Sequence, residues 1–225
     1  YFYSAGIEIT EIRKKFTLQH SWHLMSWPIY LVWDEYQADF IKKCNKQKYL
    51  IKSVGLIWFS SSDKDAIIPS NSIAVFDITP FRASMHPYLG VSFEYYTYEL
   101  VNKFLTDLDL ILNENNIKMI YKMKRSSNYY YHKKYMKRIK ELNATSNFIE
   151  VNSSNDALQV IQKTRATISI PFTSTSIIAK LENKPSAYYD PTGQMRKDVN
   201  AAHGIIILSN IEELRSWIKK INCSI

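Results

Sequence analysis

Only five glycines occur in the 225 residues. That scarcity excludes phosphate cradles built from glycine backbone: no Gly-x-Gly-x-x-Gly follows a strand, and no Walker-type loop ending in lysine is present. A Gly-x-Ser-x-Gly elbow is missing too, which removes the usual α/β-hydrolase reading. The two cysteines, Cys44 and Cys223, have neither metal-ligand nor disulfide-framework spacing and point to a reducing, cytoplasmic compartment. No apolar run approaches the ~18 to 20 residues of a membrane helix, and no basic-then-apolar signal segment opens the chain. The first residue is Tyr1 rather than Met, so the chain reads as a fragment or a processed form.

What is present is material for a core. With 46% hydrophobic and 14% aromatic residues, the chain is long enough for one large domain or parts of two. The formal charge is +8, and its distribution is uneven. Nine of the 29 basic residues lie in 118–140 (Lys118, Lys122, Lys124, Arg125, Lys133, Lys134, Lys137, Arg138, Lys140), a window without Asp or Glu, which leaves 20 basic against 21 acidic residues elsewhere. One concentrated basic stretch is a footprint for phosphate, whether on a nucleotide, a lipid head group or a nucleic acid; the plain alternative is a solvated helix face.

Periodicity divides the chain. From residue 72 onward, β-rich runs alternate with helical patterns. "SIAVFDI" is followed by "YELVNKFLTDLDLILNENN", which sets Val101, Phe104, Leu105, Leu108, Ile111 and Leu112 on one helical face. "KMIYKMK" precedes a helix carrying Tyr135, Ile139 and Leu142; "NFIEV" precedes a helix for which Ser153 and Asp156 have capping-box spacing. "ATISIPF", "PSAYYD" and "GIIILS" complete the strands, and "NIEELRSWIKKI" is the last helix. Strands separated by helices predict an α/β fold with a parallel, doubly wound sheet. Upstream, "IYLVW", "DEYQADFIKKC" and "YLIKSVGLIWF" read as strand, helix and strand, and "SSSDKDAIIPSN" (60–71) has linker composition. The expected division is 1–62, the tail of a second α/β domain, and 63–225, the doubly wound domain.

In an open parallel sheet, ligands bind beyond the carboxyl ends of the strands. The loops expected there are "TPFRASMHPYLGVSFEYYT", "RSSNYYYHK", the turn holding Thr173, Ser174, Thr175 and Ser176, and "PTGQMRKD". A hydroxyl-rich turn at the positive end of a helix dipole suits a phosphate, and its plain alternative is an N-cap, for which one hydroxyl suffices. Lys122, Lys124 and Arg125 are expected to offer cations to the same anion. His20 and His23 have helical spacing without a third ligand, so no metal is expected. Tyr129, Tyr130 and Tyr131 beside basic residues suit base stacking, although tyrosines packed under a loop are commoner, and no nucleic-acid partner is expected.

"IPFTSTSIIAKLENKPSAYYDPTG", together with "YLVWDEYQADFI", "SVGLIWFS", "FDITPFR" and "AAHGI", resembles the bacterial polysaccharide-biosynthesis proteins named for their PFTS motif. The resemblance runs from about Trp27 onward and implies a glycosyltransferase of surface carbohydrate, capsule or lipopolysaccharide O-antigen. The layout is also similar to the Rossmann-like C-terminal domain of GT-B enzymes that use CMP-activated Kdo or sialic acid. That similarity implies donor-phosphate contacts at Lys122, Lys124 and Arg125 and at Thr173–Ser176. It also implies that Arg82, Asp190, Thr192 and Gly193 border the nucleotide-sugar, with Arg196 and Lys197 as further cations. The sequence departs from that pattern in lacking a His-Pro after its second strand and in carrying Ala179 where such enzymes place a ribose-binding Glu. The general base usually belongs to the N-terminal domain, where this chain offers Glu8 and His20. The implied donor is a nucleotide-sugar and the acceptor a glycan or lipid-linked glycan; neither metal nor cofactor is expected. The implied location is the cytoplasm or the inner face of the inner membrane, with peripheral membrane association. The alternatives are a GT-B-fold sugar-nucleotide epimerase and a non-catalytic nucleotide- or RNA-binding domain.

Overall fold

The computed structural model describes residues 24–44, 49–57, 67–82, 97–123 and 130–223. Glu8, His20, His23, Lys124, Arg125, Tyr129 and most of the expected linker lie outside them. In chain order the elements are β1 (Ile29–Val32), α1 (Glu35–Cys44), β2 (Leu50–Ser53), β3 (Ser72–Phe76), α2 (Tyr98–Glu114), β4 (Lys118–Lys122), α3 (Lys133–Asn143), β5 (Phe148–Val151), α4 (Ala157–Lys163), β6 (Ala166–Ser169), α5 (Ser174–Leu181), β7 (Ser186–Tyr189), β8 (Ile206–Leu208) and α6 (Ile211–Cys223).

β3 to β8 form a six-stranded sheet in the order β5-β4-β3-β6-β7-β8, and every pairing is parallel. The fold is therefore α/β with a doubly wound parallel sheet, as the alternating pattern predicts. Helices cover both faces: α2 packs beside α3 and α6, and α4 beside α5. This explains the continuous apolar strands, since Ile73, Ala74 and Val75 are all fully buried and a strand covered on two sides has no polar face. The apolar face expected for α2 is buried from Val101 to Leu112, and Thr97 caps the helix by accepting from the Leu100 amide at 3.2 Å. The expected start of α4 needs correction. The helix begins at Ala157, with Asp156 as its N-cap accepting from the Leu158 amide at 2.9 Å, so Ser153 lies in the preceding turn and forms no capping box.

β1 and β2 pair in parallel as a separate two-stranded sheet, with Ile29 opposite Leu50. Apolar residues of this segment, among them Tyr30, Val32 and Trp33, share one core with the six-stranded unit, and a polar cluster adds to the join. Asp34 caps α1 through Oδ1, which accepts from the Gln37 amide at 2.9 Å, while Oδ2 lies 2.6 Å from Nδ1 of the buried His203. Burial pushes the Asp34 carboxyl upward, but the hydrogen bond and charge of His203, the Gln37 amide and the charge of Lys180 outweigh it and hold the group below the usual carboxylate range. Lys180 donates to the His203 carbonyl at 2.6 Å, and Tyr36 packs against the His203 ring. Gly204 follows at φ +70°, with the Tyr36 hydroxyl 2.5 Å from where a Cβ would stand. Only glycine tolerates both the left-handed backbone and that approach.

Candidate functional site

The strand order reverses direction between β3 and β6, so the crevice beyond their carboxyl ends is the topological switch point. The two chains leave the sheet together there: Phe76 pairs with Ser169, and the Phe76 carbonyl accepts from the Ile170 amide at 3.1 Å. After β6 the backbone turns sharply through Phe172, which has φ +67°, a conformation that costs a non-glycine residue energy and persists only where surroundings enforce it. β7 supplies the enforcement. Tyr188 meets the Phe172 ring edge-on at 5.9 Å, and its hydroxyl donates to the Thr173 carbonyl at 2.9 Å.

The four hydroxyls that follow have different tasks. Thr173 is the N-cap of α5, yet its side chain makes no capping bond. It donates instead to the Ile170 carbonyl at 3.0 Å, so in its 3.3 Å contact with Thr175 it is the acceptor and Thr175 the donor. Ser176 is buried and donates to the Ala187 carbonyl at 3.2 Å, which makes Ser169 the donor in the 2.5 Å Ser169–Ser176 pair. Ser176 is therefore a strut between α5, β6 and β7. Thr173, Ser174 and Thr175 are half-buried at the helix start, where the dipole is positive. Capping does not account for the Thr173 hydroxyl.

The opposing loop begins at Asp77. Its Oδ2 is hydrogen-bonded to the Tyr121 hydroxyl at 2.8 Å and to the Tyr135 hydroxyl at 3.0 Å, and the two phenols are hydrogen-bonded to each other. Burial pushes the Asp77 carboxyl up to about 7, against the opposing pull of the two phenols. Burial likewise drives both phenols far above their ordinary range. Residues 80–82 then run antiparallel to residues 130–132: the His132 amide donates to the Pro80 carbonyl and the Arg82 amide to the Tyr130 carbonyl, each at 2.9 Å, and Phe81 bridges to Tyr131. Arg82 also donates through Nε to the Tyr131 carbonyl at 3.3 Å. His132 stacks on Tyr98 at 4.5 Å, with Nδ1 buried and unpartnered.

The remaining sequence candidates spread out. Lys122 donates to the Ser153 carbonyl at 3.1 Å, on the β5–α4 loop, and burial pulls its ammonium below the usual lysine range against the charge of Asp156. Asp190 is fully buried and organises its own turn, accepting from the Thr192 amide at 3.0 Å, the Thr192 hydroxyl at 2.6 Å and the Met195 amide at 2.7 Å. Gly193 completes that turn at φ +66°, and a Cβ there would stand 3.1 Å from the Ser209 carbonyl. Arg196 grips Asp198 with two hydrogen bonds at 3.0 and 2.6 Å, and Lys197 pairs with Glu213 at 2.6 Å, all on the surface. Ala179, at the position of the absent ribose-binding Glu, is buried in α5. Among the described residues no cluster of three or more His, Cys, Asp or Glu is placed to hold a metal, and no helix is long and apolar enough to cross a membrane.

Sequence reasoning missed the Asp77–Tyr121–Tyr135 group and the Asp34–His203 pair. A signal for the first existed: an acidic residue directly at the end of a wholly apolar strand, opposite a strand with an isolated tyrosine. For the second there was none, because 169 residues separate the partners.

The sequence matches the family described as polysaccharide biosynthesis PFTS motif protein over residues 1–218. No curated protein matches it. Among solved structures, the Methanocaldococcus jannaschii UDP-GlcNAc 2-epimerase, determined with UDP-GlcNAc and UDP, is similar at TM-score 0.46 and 12% identity, over 69% of this chain and 40% of that one. TarM is similar at 0.44 and 13%, over 85% and 36%. KpsC of Thermosulfurimonas dismutans, a beta Kdo 2,4 transferase, is similar at 0.35 and 10%, over 70% and 47%. The chain thus spans less than half the length of each.

Proposed function

The chain belongs to the polysaccharide biosynthesis PFTS motif family, and from that premise we propose that it carries the donor-binding half-site of a glycosyltransferase that uses a nucleotide-sugar, with a CMP-sugar as the first candidate. The observation that carries the reading is the PFTS turn itself. At the switch point of a parallel sheet, a strained phenylalanine and an N-cap threonine whose side chain makes no capping bond lead into the start of α5, which carries three half-buried hydroxyls.

The chemistry follows from charge. As the glycosidic bond breaks, the leaving nucleotide phosphate gains negative charge, so donors fixed at that phosphate stabilise the transition state more than the ground state. Ser174 and the backbone N–H groups at the start of α5 are assigned to this role from one loop and Arg82 from the other; Thr173 and Thr175 join them by turning their hydroxyl protons from the Ile170 carbonyl and from Thr173 toward the phosphate, with Lys124 and Arg125 as further cations beyond the described residues. Asp190, Thr192 and Gly193 hold the neighbouring turn. Lys122, Arg196 and Lys197 are secondary, since each is engaged elsewhere. The base that deprotonates the acceptor hydroxyl is assigned to the N-terminal part, to Glu8 or His20 or to a residue outside this chain. The acceptor is a glycan or lipid-linked glycan, with the transfer at the cytoplasmic membrane face.

Calorimetry with CMP, UDP and GDP and their sugars, against a short oligonucleotide, tests the class of ligand. Nucleotide binding supports the reading, while salt-sensitive binding of the oligonucleotide alone replaces it with an RNA-binding module. Turnover tests the role. A charge-assisted hydrogen bond contributes about 1.5 to 3 kcal/mol, so Ser174→Ala or Thr175→Val in the complete enzyme should lower turnover by roughly ten- to a hundredfold. Full turnover in both folded variants would remove the phosphate assignment.

A further inference from the structure

Asp77 lies one residue past the end of β3 and is 5% exposed. The Ile170 amide donates to the carbonyl of the residue before it, and the Thr173 amide donates to the Ile170 carbonyl, so Asp77 and the start of α5 leave the sheet side by side. Its Oδ2 and the hydroxyls of Tyr121 and Tyr135 form a triangle in which each oxygen contacts both others. Three contacts between oxygens require three protons. The phenols supply two. An ionised Asp77 supplies none, leaving one oxygen pair face to face without a hydrogen between them. A protonated Asp77 supplies the third and closes a ring: Oδ2–H donates to one phenol, that phenol to the other, and the other back to Oδ2. The proton then leaves Oδ1 as a carbonyl-type acceptor, and Oδ1 is buried with no partner. A lone acceptor of this kind is costly, and at the ligand-binding edge of a sheet it marks a place where a ligand donates.

We propose that Asp77 is a neutral carboxylic acid whose Oδ1 receives a hydrogen bond from an uncharged donor group, a hydroxyl or amide, of the ligand whose anionic group lies at the start of α5. The inference rests on the reading of that helix start as an anion site and deepens it. A carboxylate beside a phosphate would repel it; a neutral acid does not. Burial is the largest influence on Asp77 and favours the neutral form, and the charge of Glu150 on β5 acts in the same sense; the hydrogen bonds of Tyr121 on β4 and Tyr135 on α3 oppose them without outweighing them. Ionisation at higher pH therefore weakens the binding of the anion.

The test combines a spectrum with a binding titration on the full chain. An infrared spectrum at about pH 6 should contain a protonated-carboxyl band that is lost in Asp77→Asn; its absence from wild type overturns the neutral acid. CMP, UDP and GDP are then titrated by calorimetry at about pH 6 and pH 9. Whichever nucleotide binds should bind wild type and Asp77→Asn equally at the lower pH and should weaken at the higher pH in wild type alone. Asp77→Leu should lose about three- to tenfold in affinity at the lower pH, the size of one neutral hydrogen bond. If that variant does not fold, the Asn variant and the spectrum still decide. Nucleotide binding with the same pH slope in wild type and Asp77→Asn overturns the subsite and leaves the anion site standing. No binding of any of the three nucleotides overturns both.

Discussion

The two ends of the six-stranded sheet use polar residues in opposite ways. At the amino end, long cations close onto backbone oxygens: Lys184 donates to the Thr164 carbonyl at 3.0 Å, Lys118 to the Ser146 carbonyl at 2.9 Å, and Lys180 to the carbonyl of His203, whose ring meets Asp34. These bonds tie loops to loops and the β1–α1 unit to the sheet. At the carboxyl end, buried polar atoms stand without partners, among them Asp77 Oδ1, His132 Nδ1 and Ser209 Oγ, and Thr173, the N-cap of α5, makes no side-chain capping bond. Among the described residues the amino end has fewer such atoms, His203 Nε2 and Thr167 Oγ1 on the second residue of β6. Because a protein that only needs stability pairs its buried polar groups, the end with more unpaired atoms is the one shaped for something else.

The sharpest way to probe that difference is the pH dependence of stability. The Asp77 carboxyl is raised from 3.8 to about 7 in the folded chain. Between those values the folded chain holds a proton that the unfolded chain has released. The group's contribution is therefore fully present below the unfolded value, falls as pH rises toward 7, and stays lost above it. A shift of about three units at ~1.4 kcal/mol each sets an upper bound of roughly 4 kcal/mol. Asp77→Asn has no proton to lose. The stability difference between variant and wild type, measured by urea unfolding from about pH 4 to pH 8, should grow in favour of the variant; two parallel profiles would show that Asp77 is not the titrating group.

The second probe addresses the amino end. Asp34→Ala removes a helix cap, about 0.5 to 2 kcal/mol, and leaves the buried His203 ring without a hydrogen bond, about 1 to 3 kcal/mol. A combined loss of about 2 to 4 kcal/mol should appear as a lower denaturant midpoint, with Asp34→Asn milder because it keeps an acceptor oxygen. Nucleotide affinity should be unchanged in both. A loss of affinity comparable to that of Ser174→Ala would erase the distinction between the two ends.

Much of this fold was legible in the sequence because burial on two faces imposes continuous apolar strands, and helical faces such as Val101 to Leu112 keep an unbroken period. The polar turn at Thr173–Ser176 was legible too, as a concentration of hydroxyls after a strand. What that concentration did not contain was a division of labour. Ser176 differs from Ser174 only by two steps around a helix, which turn its hydroxyl inward to Ser169 and the Ala187 carbonyl. Charge misled in a similar way. Lys122 belongs to the most basic stretch of the chain, but strand alternation sends it to the face opposite Tyr121, toward Ser153. Asp190 appeared as a ligand contact beside a Pro-Thr-Gly turn, and its carboxylate instead receives three hydrogen bonds from that turn.

The smallest expected effect concerns cations that lie near the carboxyl end in sequence but are already paired. Arg196 holds both oxygens of Asp198, two residues away, and Lys197 holds Glu213. Both cations are solvent-exposed, and exposed pairs of this kind contribute little to folding. To bind a phosphate, Arg196 would first have to release a bidentate carboxylate, so its net gain from the ligand is small. Arg82 is placed differently: its backbone amide and Nε are fixed by the Tyr130 and Tyr131 carbonyls. That fixing orients the guanidinium without neutralising it, because a carbonyl carries no net charge. Arg82→Ala should therefore weaken nucleotide binding by about tenfold, the scale of one charge-assisted hydrogen bond, and make the remaining affinity less sensitive to added salt. Arg196→Ala/Lys197→Ala should match wild type in both denaturant midpoint and nucleotide affinity. The comparison is made by calorimetry at two ionic strengths. If the double variant loses as much affinity as Arg82→Ala, the ion pairs with Asp198 and Glu213 open on binding, and the anion site extends from the β6–α5 turn across β7 to the Asp190 loop.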